Sequence, residues 1–337
     1  MSQHSFSFLE GSKVLVTGGA GFIGSHLCER LLELGAQVRC LDNLATGFAR
    51  NLSNFKEHPH FEFLEGDIRS LDTCLEAVKD IDFVLHQAAL GSVPRSLKDP
   101  MLTHEVNTTG FLNMLWAAKS VDVQRFVYAA SSSTYGDSKE LPKQEDRIGR
   151  PLSPYAITKY TNELYAQVFH DHYGIDTIGL RYFNVFGERQ DPDGAYAAVI
   201  PKFVKAFLHG ESPIIHGDGS YSRDFTYVKN VVQANLLALC TTKKEALNTV
   251  YNVACGNQCT IQDLASHIRT ILTTSDPKIQ DISMKFGPKR AGDVPHSLAS
   301  ITRAEELLDY QCAVPLQSGL KKAMPWYIQH LKNKTNV

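Results

Sequence analysis

Tyr155 and Lys159 stand at i and i+4 in the run Ser153-Pro154-Tyr155-Ala156-Ile157-Thr158-Lys159, a spacing that puts both side chains on one face of a helix. An isolated phenol, with a pKa of about 10, is a poor base at neutral pH. An ammonium a few ångströms away favours the phenolate by about 3 kcal/mol at an effective dielectric of ~20, which is roughly two pKa units. Such a phenol can take the proton of an alcohol while a hydride leaves the same carbon. The pair alone is common on amphipathic helices, so its meaning depends on what surrounds it. One candidate neighbour is Ala129-Ala130-Ser131-Ser132-Ser133-Thr134-Tyr135-Gly136, which follows a strand-like run. A serine hydroxyl both donates and accepts, so Ser131 or Ser132 can pass a proton between an alcohol oxygen and Tyr155. Read by itself, the segment is a Ser/Thr-rich turn.

A hydride needs an acceptor, and Thr17-Gly18-Gly19-Ala20-Gly21-Phe22-Ile23-Gly24 supplies a place for one. Gly18 permits a tight turn, Gly21 removes a side chain where backbone must approach a pyrophosphate, and Gly24 lets a helix pack on the preceding strand. The helix N-terminus then offers N–H groups and partial positive charge to phosphate. Asp42 ends the next strand-like run, where a carboxylate accepts from a ribose 2′-hydroxyl and repels a 2′-phosphate, favouring NAD over NADP. Arg50 is the nearest downstream cation that could soften that choice. A turn cluster of glycines and a surface aspartate is the bland alternative.

The elements that must position these groups are legible as alternation. Lys13–Thr17, Gln37–Leu41, Phe61–Leu64, Asp82–His86, Arg125–Ala129 and Thr177–Leu180 read as strands. Phe22, Ile23, Leu27, Leu31 and Leu34 recur at helical spacing before Gly35, and Leu102–Val121 and Tyr155–Tyr173 are long enough for helices. Strands separated by helices mean βαβ crossovers and a parallel sheet covered on both faces. Beyond Tyr182, Gly and Pro become frequent, and the apolar stretches Val231–Leu239 and Val250–Ala254 can return to the first sheet. The segment from Lys285 onward predicts loops and one or two short helices. The expected division is a dinucleotide domain over 1–183, with returning segments near 226–254, and a smaller, discontinuous lobe mainly over 184–337.

The chain has 337 residues, 43% of them hydrophobic and 21% charged, with 34 basic against 36 acidic side chains and a formal charge of −2. This is an ordinary globular composition, and the balance argues against bulk attraction to nucleic acid or anionic lipid. No apolar run is long enough to span a bilayer, and the first residues lack a signal-peptide pattern. The seven cysteines are odd in number and scattered. Cys28 and Cys40 read as small buried hydrophobes, and Cys255-x-x-x-Cys259 lacks the second ligand pair of a structural zinc site. His170 and His172, at i and i+2, do not face one another. No metal site is expected, and a reducing cytoplasm is the simplest compartment.

Taken together, these residues resemble the extended short-chain dehydrogenase/reductase family. The likeness runs through Gly18-x-x-Gly21-x-x-Gly24, Asp42, Asp67-Ile68, His86-x-Ala88-Ala89, Asn107, the serine run, Tyr155-x-x-x-Lys159 and Arg181-Tyr182-Phe183-Asn184. Within the family, Ala88 to Ser96, Tyr128 to Asp137 and Gly194 to Pro201 are similar to the bacterial UDP-N-acetylglucosamine 4-epimerases of surface-polysaccharide (O-antigen) synthesis. The resemblance implies an α/β fold, a Rossmann-type doubly wound parallel sheet with a smaller substrate-binding lobe, and NAD kept through the catalytic cycle. It implies NAD contacts from Gly18, Gly21, Phe22, Ile23, Gly24, Asp42, Asn43, Thr46, Gly47, Asp67, Ile68, Gln87, Ala88, Ala89, Tyr155, Lys159 and Tyr182. By the same likeness, Tyr155 takes the C4 hydroxyl proton with Ser131 or Ser132 as relay, and Ser133 lies beside them on the substrate. Asn184, Gln190, Arg223, Arg290 and Asp293 would hold the UDP part, since arginine forks suit a diphosphate, and Val199 would also touch the substrate. Gly91, Ser92, Ala198 and Ser297 would line the sugar pocket, with small Ala198 and Ser297 leaving room for a 2-acetamido group. A homodimer through a four-helix bundle, formed by the helices over 102–121 and 155–173, is implied as well.

Other activities of related chains are distinguished at the serine run. Sugar-nucleotide dehydratases need a carboxylate pair there and decarboxylases a glutamate, whereas this chain has only Ser132, Ser133 and Thr134 before Tyr135. A 4-epimerase of UDP-N-acetylhexosaminuronic acids (UDP-GlcNAcA and UDP-GalNAcA) stays open, with Arg95 or Ser92 as partner for the extra carboxylate. A module that binds NAD without chemistry would have no use for Tyr155, Lys159 and the serines together.

Overall fold

The structure is a computed structural model, and it describes residues 6–191, 198–288 and 294–332. Seven strands form one parallel sheet: β1 (Lys13–Thr17), β2 (Gln37–Asp42), β3 (Phe61–Glu65), β4 (Phe83–His86), β5 (Arg125–Ser131), β6 (Thr177–Tyr182) and β7 (Thr249–Val253), in the order β7-β6-β5-β4-β1-β2-β3. The order reverses direction between β1 and β4, and a doubly wound sheet opens its ligand crevice at such a point, at the carboxyl ends of the strands.

The helices that bear on the site are, in chain order, α1 (Phe22–Glu33), α2 (Leu71–Ala77), α3, α4 (Pro154–Tyr173), α5 (Val199–Leu208), α6 (Val228–Cys240), α7 (Ile261–Thr273) and α8 (Leu316–Lys332). Helix α3 is compound, running from Pro100–His104 through a π turn at Glu105–Thr109 into Gly110–Ser120. On one face of the sheet, Leu27 and Leu31 of α1 and Val231, Leu236 and Leu239 of α6 share a core with β1, β4 and β6. On the other, Cys74 of α2, Phe111, Met114 and Leu115 of α3, and Ala166 and Phe169 of α4 close over β1, β4 and β5. Burial on both faces explains why β1 and β4 read as apolar runs rather than alternating ones. A third core, built from Ile200 and Phe203 of α5, Leu264 and Ile268 of α7, and Leu320 and Tyr327 of α8, lies in the later part of the chain.

The strand expectations hold to within two residues at their ends, and both long helices are present. Val250–Ala254 supplies the seventh strand, while Val231–Leu239 returns as a helix laid across the sheet. The C-terminal expectation of short helices is corrected: α8 runs for 17 residues with Pro325 inside it. The missing proline N–H interrupts the pattern, but Leu320, Ala323, Met324, Tyr327 and Leu331 form a buried stripe that holds the helix. The cysteines also differ from expectation, because Cys255 and Cys312 form a disulfide across 57 residues of sequence. Cys28 and Cys40 are buried thiols as read, and Cys74 is buried as well, but the scatter of cysteines no longer argues for a reducing compartment. Among the described residues no helix is long and apolar enough to cross a membrane, and no group of three or more His, Cys, Asp or Glu converges as metal ligands would.

Helix α4 is tied to β6 by a buried ion pair. Arg181 donates to both oxygens of Glu163 at 2.9 and 2.6 Å, with side chains 3% and 6% exposed. The third guanidinium contact goes to the Glu145 carbonyl at 2.8 Å. Glu163→Gln leaves Arg181 charged in the interior and is expected to lower stability by about 3–5 kcal/mol, read from the urea midpoint at constant m-value.

Candidate active site

The carboxyl ends of β1, β2, β4, β5 and β6 frame a cleft of about 770 Å³. All the residues expected to hold the dinucleotide line it: Gly18, Gly21, Phe22, Ile23, Gly24, Asp42, Asn43, Thr46, Gly47, Asp67, Ile68, Gln87, Ala88, Ala89, Tyr155, Lys159 and Tyr182. The close approaches that make the cradle are visible at two glycines. Gly18 has φ +66°, and a Cβ there would lie 2.8 Å from the Ala88 backbone; a Cβ at Gly24 would lie 2.1 Å from the Gly18 carbonyl oxygen. Any side chain at either position pushes the turn off the strand or α1 off the turn, so the cradle fits a pyrophosphate at the α1 N-terminus.

Asp42 is nearly buried, its two oxygens accepting from the backbone N–H groups of Ala20 (3.0 Å) and Leu44 (2.8 Å). Burial raises its pKa from the ordinary carboxylate value and these two N–H bonds pull it back. At the far end, Arg69 holds the Asp67 carboxyl down at about 2, and Asn43 donates to the same carboxylate at 2.8 Å. Arg69 also lines the cleft and was not foreseen; its position directly after Asp67-Ile68 was the available signal.

At the other end, Ser153 caps α4 by accepting from the Ala156 N–H at 3.1 Å, and the first turns carry Tyr155 and Lys159 into the cleft. Ser131 closes β5, lines the cleft with Tyr155 and pulls the Tyr155 pKa down, and its hydroxyl accepts from the Ser133 N–H (3.1 Å) and Oγ (2.9 Å). Ser131 is therefore the serine beside the phenol. Ser132 and Ser133, expected beside it, are not among the residues lining the cleft; they open the 3₁₀ turn Ser132–Tyr135 that follows β5.

The electrostatics correct a second expectation. Burial raises the Tyr155 pKa above its ordinary value, and the offsetting influence is the Ser131 hydrogen bond rather than Lys159. Lys159 is itself buried, donates to the Ala129 carbonyl at 2.8 Å, and is pushed down to about 8 by desolvation, with Glu163 pulling the other way. A desolvated ammonium committed to a carbonyl does less for the phenol than helical spacing alone suggests. Behind it, His86 is stacked on Phe126, bonded to Thr17 Oγ1 at 3.0 Å, and driven to about 3 by burial and then by Lys159, so it stays neutral.

Among the residues expected on substrate, Gly91, Ser92, Asn184 and Gln190 line the main cleft. A second recess of about 390 Å³ shares Asn184 and is lined by Val199 and Arg223 together with Lys202, Phe203, His216 and Tyr221. These last four were missed, since nothing in the sequence pairs Ile214–His216 with Lys285–Gly287 in a small sheet. Ala198 and Ser297 are not among the residues lining either cavity, and the Ser297 backbone N–H donates to the Ser222 carbonyl at 3.0 Å. The Gln190 side chain is engaged by protein, donating to the Val185 carbonyl and accepting from Tyr327, each at 3.0 Å. Arg95 lines neither cavity. Arg290, Asp293 and the run from 192 to 197 lie outside the described residues.

Residues 14–254 match the NAD dependent epimerase/dehydratase family. The UDP-glucose 4-epimerase of Mycolicibacterium smegmatis is 36% identical over 94% of this chain and 98% of its own length. The structure of UDP-N-acetylglucosamine 4-epimerase from Methanobrevibacter ruminantium M1, in complex with UDP-N-acetylmuramic acid, superposes with a TM-score of 0.88 at 38% identity, covering 95% of this chain and 99% of that one. UDP-glucuronic acid 4-epimerase from Bacillus cereus, in complex with UDP-glucuronic acid and NAD, superposes with a TM-score of 0.86 at 32% identity, over 94% and 99% of the two chains.

Gly24→Ala is expected to purify with several-fold less NAD per chain, measured by chromatography of the nucleotide released on denaturation. Lys159 keeps its proton below about pH 8 and loses it above, so the turnover rate should fall through that region on the alkaline side. Lys159→Arg, which keeps its charge, should move that limb upward in the pH–rate profile.

Proposed function

The chain belongs to the NAD-dependent epimerase/dehydratase family, as a UDP-sugar 4-epimerase that uses NAD, and from that premise we propose that it interconverts UDP-N-acetylglucosamine and UDP-N-acetylgalactosamine through a 4-keto sugar. The observation that carries the chemistry is that Ser131, Tyr155 and Lys159 line the same cleft as the Gly18–Gly24 cradle. When bound, NAD supplies a reversible hydride acceptor for C4 of the sugar. This chain's residues handle the proton: Ser131 takes it from the C4 hydroxyl and passes it to Tyr155, while Lys159, fixed to Ala129, supplies positive charge behind the phenol. The 4-keto sugar would turn about its diphosphate linkage and present its opposite face, so that C4 regains the hydride there while O4 regains the proton through Tyr155 and Ser131. The Ser132–Thr134 run carries only hydroxyls, where a dehydratase or decarboxylase needs a carboxyl group.

Two observations support an N-acetylated sugar. The 38%-identical Methanobrevibacter protein is a UDP-N-acetylglucosamine 4-epimerase crystallised with a nucleotide of an N-acetylated sugar. On this chain a Cβ at Gly91 would meet nothing within 4 Å, so the wall of the cleft beside Ser92 has room for a substituent. The uronic-acid reading draws on the Bacillus cereus enzyme, but Arg95 is not on the cleft wall and Ser92 remains its one partner. We assign the UDP to the second recess through Asn184, Val199 and Arg223. In this assignment NAD occupies 1–183 and the returning segments near 226–254, the sugar nucleotide mainly 184–337, and the protein works in the cytoplasm on surface-polysaccharide precursors.

We further propose a homodimer. Ile157, Leu164 and Val168 on α4 are about half exposed, as are Trp116 on α3 and Tyr173 at the end of α4, and Met101 is 71% exposed. These positions form an apolar stripe on two adjacent helices, which a second copy would cover as a four-helix bundle. Leu164→Glu should halve the sedimenting mass.

Purified protein given UDP-N-acetylglucosamine and no added cofactor should equilibrate it with the galacto epimer, seen by anion-exchange separation. Tyr155→Phe should lose roughly 100- to 10,000-fold in kcat while its bound NAD persists. UDP-glucose and UDP-N-acetylglucosaminuronate run in parallel decide the substrate; faster turnover of either overturns the N-acetylhexosamine assignment.

A further inference from the structure

Asn235 is fully buried in the middle of α6, among Val231, Val232, Ala234, Leu236 and Leu237. An amide is a poor choice for an apolar helix interior unless every polar atom is satisfied. Here each one is. Asn235 Nδ2 donates to the Val231 carbonyl at 2.8 Å and to the Tyr182 hydroxyl at 2.9 Å. Its Oδ1 accepts from Gln87 Nε2 at 3.1 Å, and the Tyr182 hydroxyl donates to Gln87 Oε1 at 3.0 Å, with Asn235 Oδ1 a longer alternative at 3.2 Å. The three side chains close a ring.

The direction of the ring follows from one backbone group. The Val231 carbonyl can only accept, so the NH2 end of Asn235 must face it, and Oδ1 is turned to Gln87. Gln87 must then present its own NH2 to Asn235 and its oxygen to Tyr182. The Tyr182 proton is thereby aimed into the protein. Gln87 stands at the end of β4 and Tyr182 at the end of β6, on either side of the β5 end that carries Ser131, and both line the cleft. Gln87 is followed by Ala88, whose backbone lies against the Gly18 turn.

We propose that Asn235 is a positioning residue for the nicotinamide end of the cleft, acting through Tyr182 and Gln87. The ring keeps a second cleft phenol from competing with Tyr155 for the substrate proton, and it holds the Gln87–Ala89 backbone where the dinucleotide lies. Burial also raises the Tyr182 pKa, in the same direction. The assignment rests on the NAD chemistry of the family and not on which UDP-sugar is turned over.

The test is a double-mutant cycle on the holoenzyme with Asn235→Ala and Tyr182→Phe, reading release of bound NAD into excess labelled NAD, and kcat and KM for whichever UDP-sugar the wild type turns over. Each single variant is expected to release NAD about tenfold faster and to lower kcat about tenfold, with KM changed less than twofold. The double variant should be no worse than Asn235→Ala, because both remove the same ring. Should Asn235→Ala fail to fold, Asn235→Asp keeps the shape but turns an acceptor toward Val231 and should give the same pattern. Effects that multiply, unchanged NAD release, or a change confined to KM overturn the proposal. NAD release is measurable without any sugar nucleotide, so a wrong substrate assignment leaves that arm readable.

Discussion

A guanidinium and a carboxylate buried together, Arg181 and Glu163, hold the helix bearing Tyr155 and Lys159 against the strand that ends in Tyr182. Tyr155, Lys159 and Glu163 follow one another at four-residue steps on α4, so fixing Glu163 fixes the direction in which the other two project. Desolvating both charges costs several kcal/mol, and the pair is not needed to make a stable core. What it supplies is register: a helix held by apolar contacts alone can slide or rotate slightly, whereas a bidentate fork has one geometry. With α4 set, Ser131 at the end of β5 meets the phenol, and Ala129 two residues earlier receives Lys159.

The site is assembled from groups that restrain one another more than they activate one another. Lys159 is desolvated to the point where its charge is marginal above neutrality, His86 beneath it stays neutral, and Tyr155 titrates higher than a free phenol. Burial raises the phenol's pKa and Ser131 pulls it back. That suits a reversible reaction in which one group must both remove and return a proton, since a strongly acidic phenol would be a reluctant base. Exclusion of water by the bound dinucleotide strengthens every remaining charge interaction in the cleft.

The glycines work by absence in the same way. Gly18 and Gly24 bring the turn, the helix start and the Ala88 backbone to distances that no side chain survives, and the space left over is where a pyrophosphate fits. Farther along the chain, a smaller recess is closed by side chains from α5, from Ile214–His216 and from Tyr221 to Phe225, elements far apart in sequence.

How much of this was readable in advance depends on the range of the interaction. Strand positions, the two long helices, the cradle, Asp42 and the Tyr155–Lys159 pair are local patterns, written within a few residues of one another, and the chain announces them. The seventeen cleft residues expected for the dinucleotide converge because a parallel sheet brings every strand end to one edge. Tertiary structure alone decided that Ser131 lines the cleft beside Tyr155, that Lys159 donates to the Ala129 carbonyl, and that Cys255 finds Cys312. It also placed Asn235, an unremarked polar residue in an apolar run, at the back of the cleft. Each of these depends on a contact between residues distant along the chain, where burial and hydrogen-bond geometry, which spacing does not encode, determine the outcome.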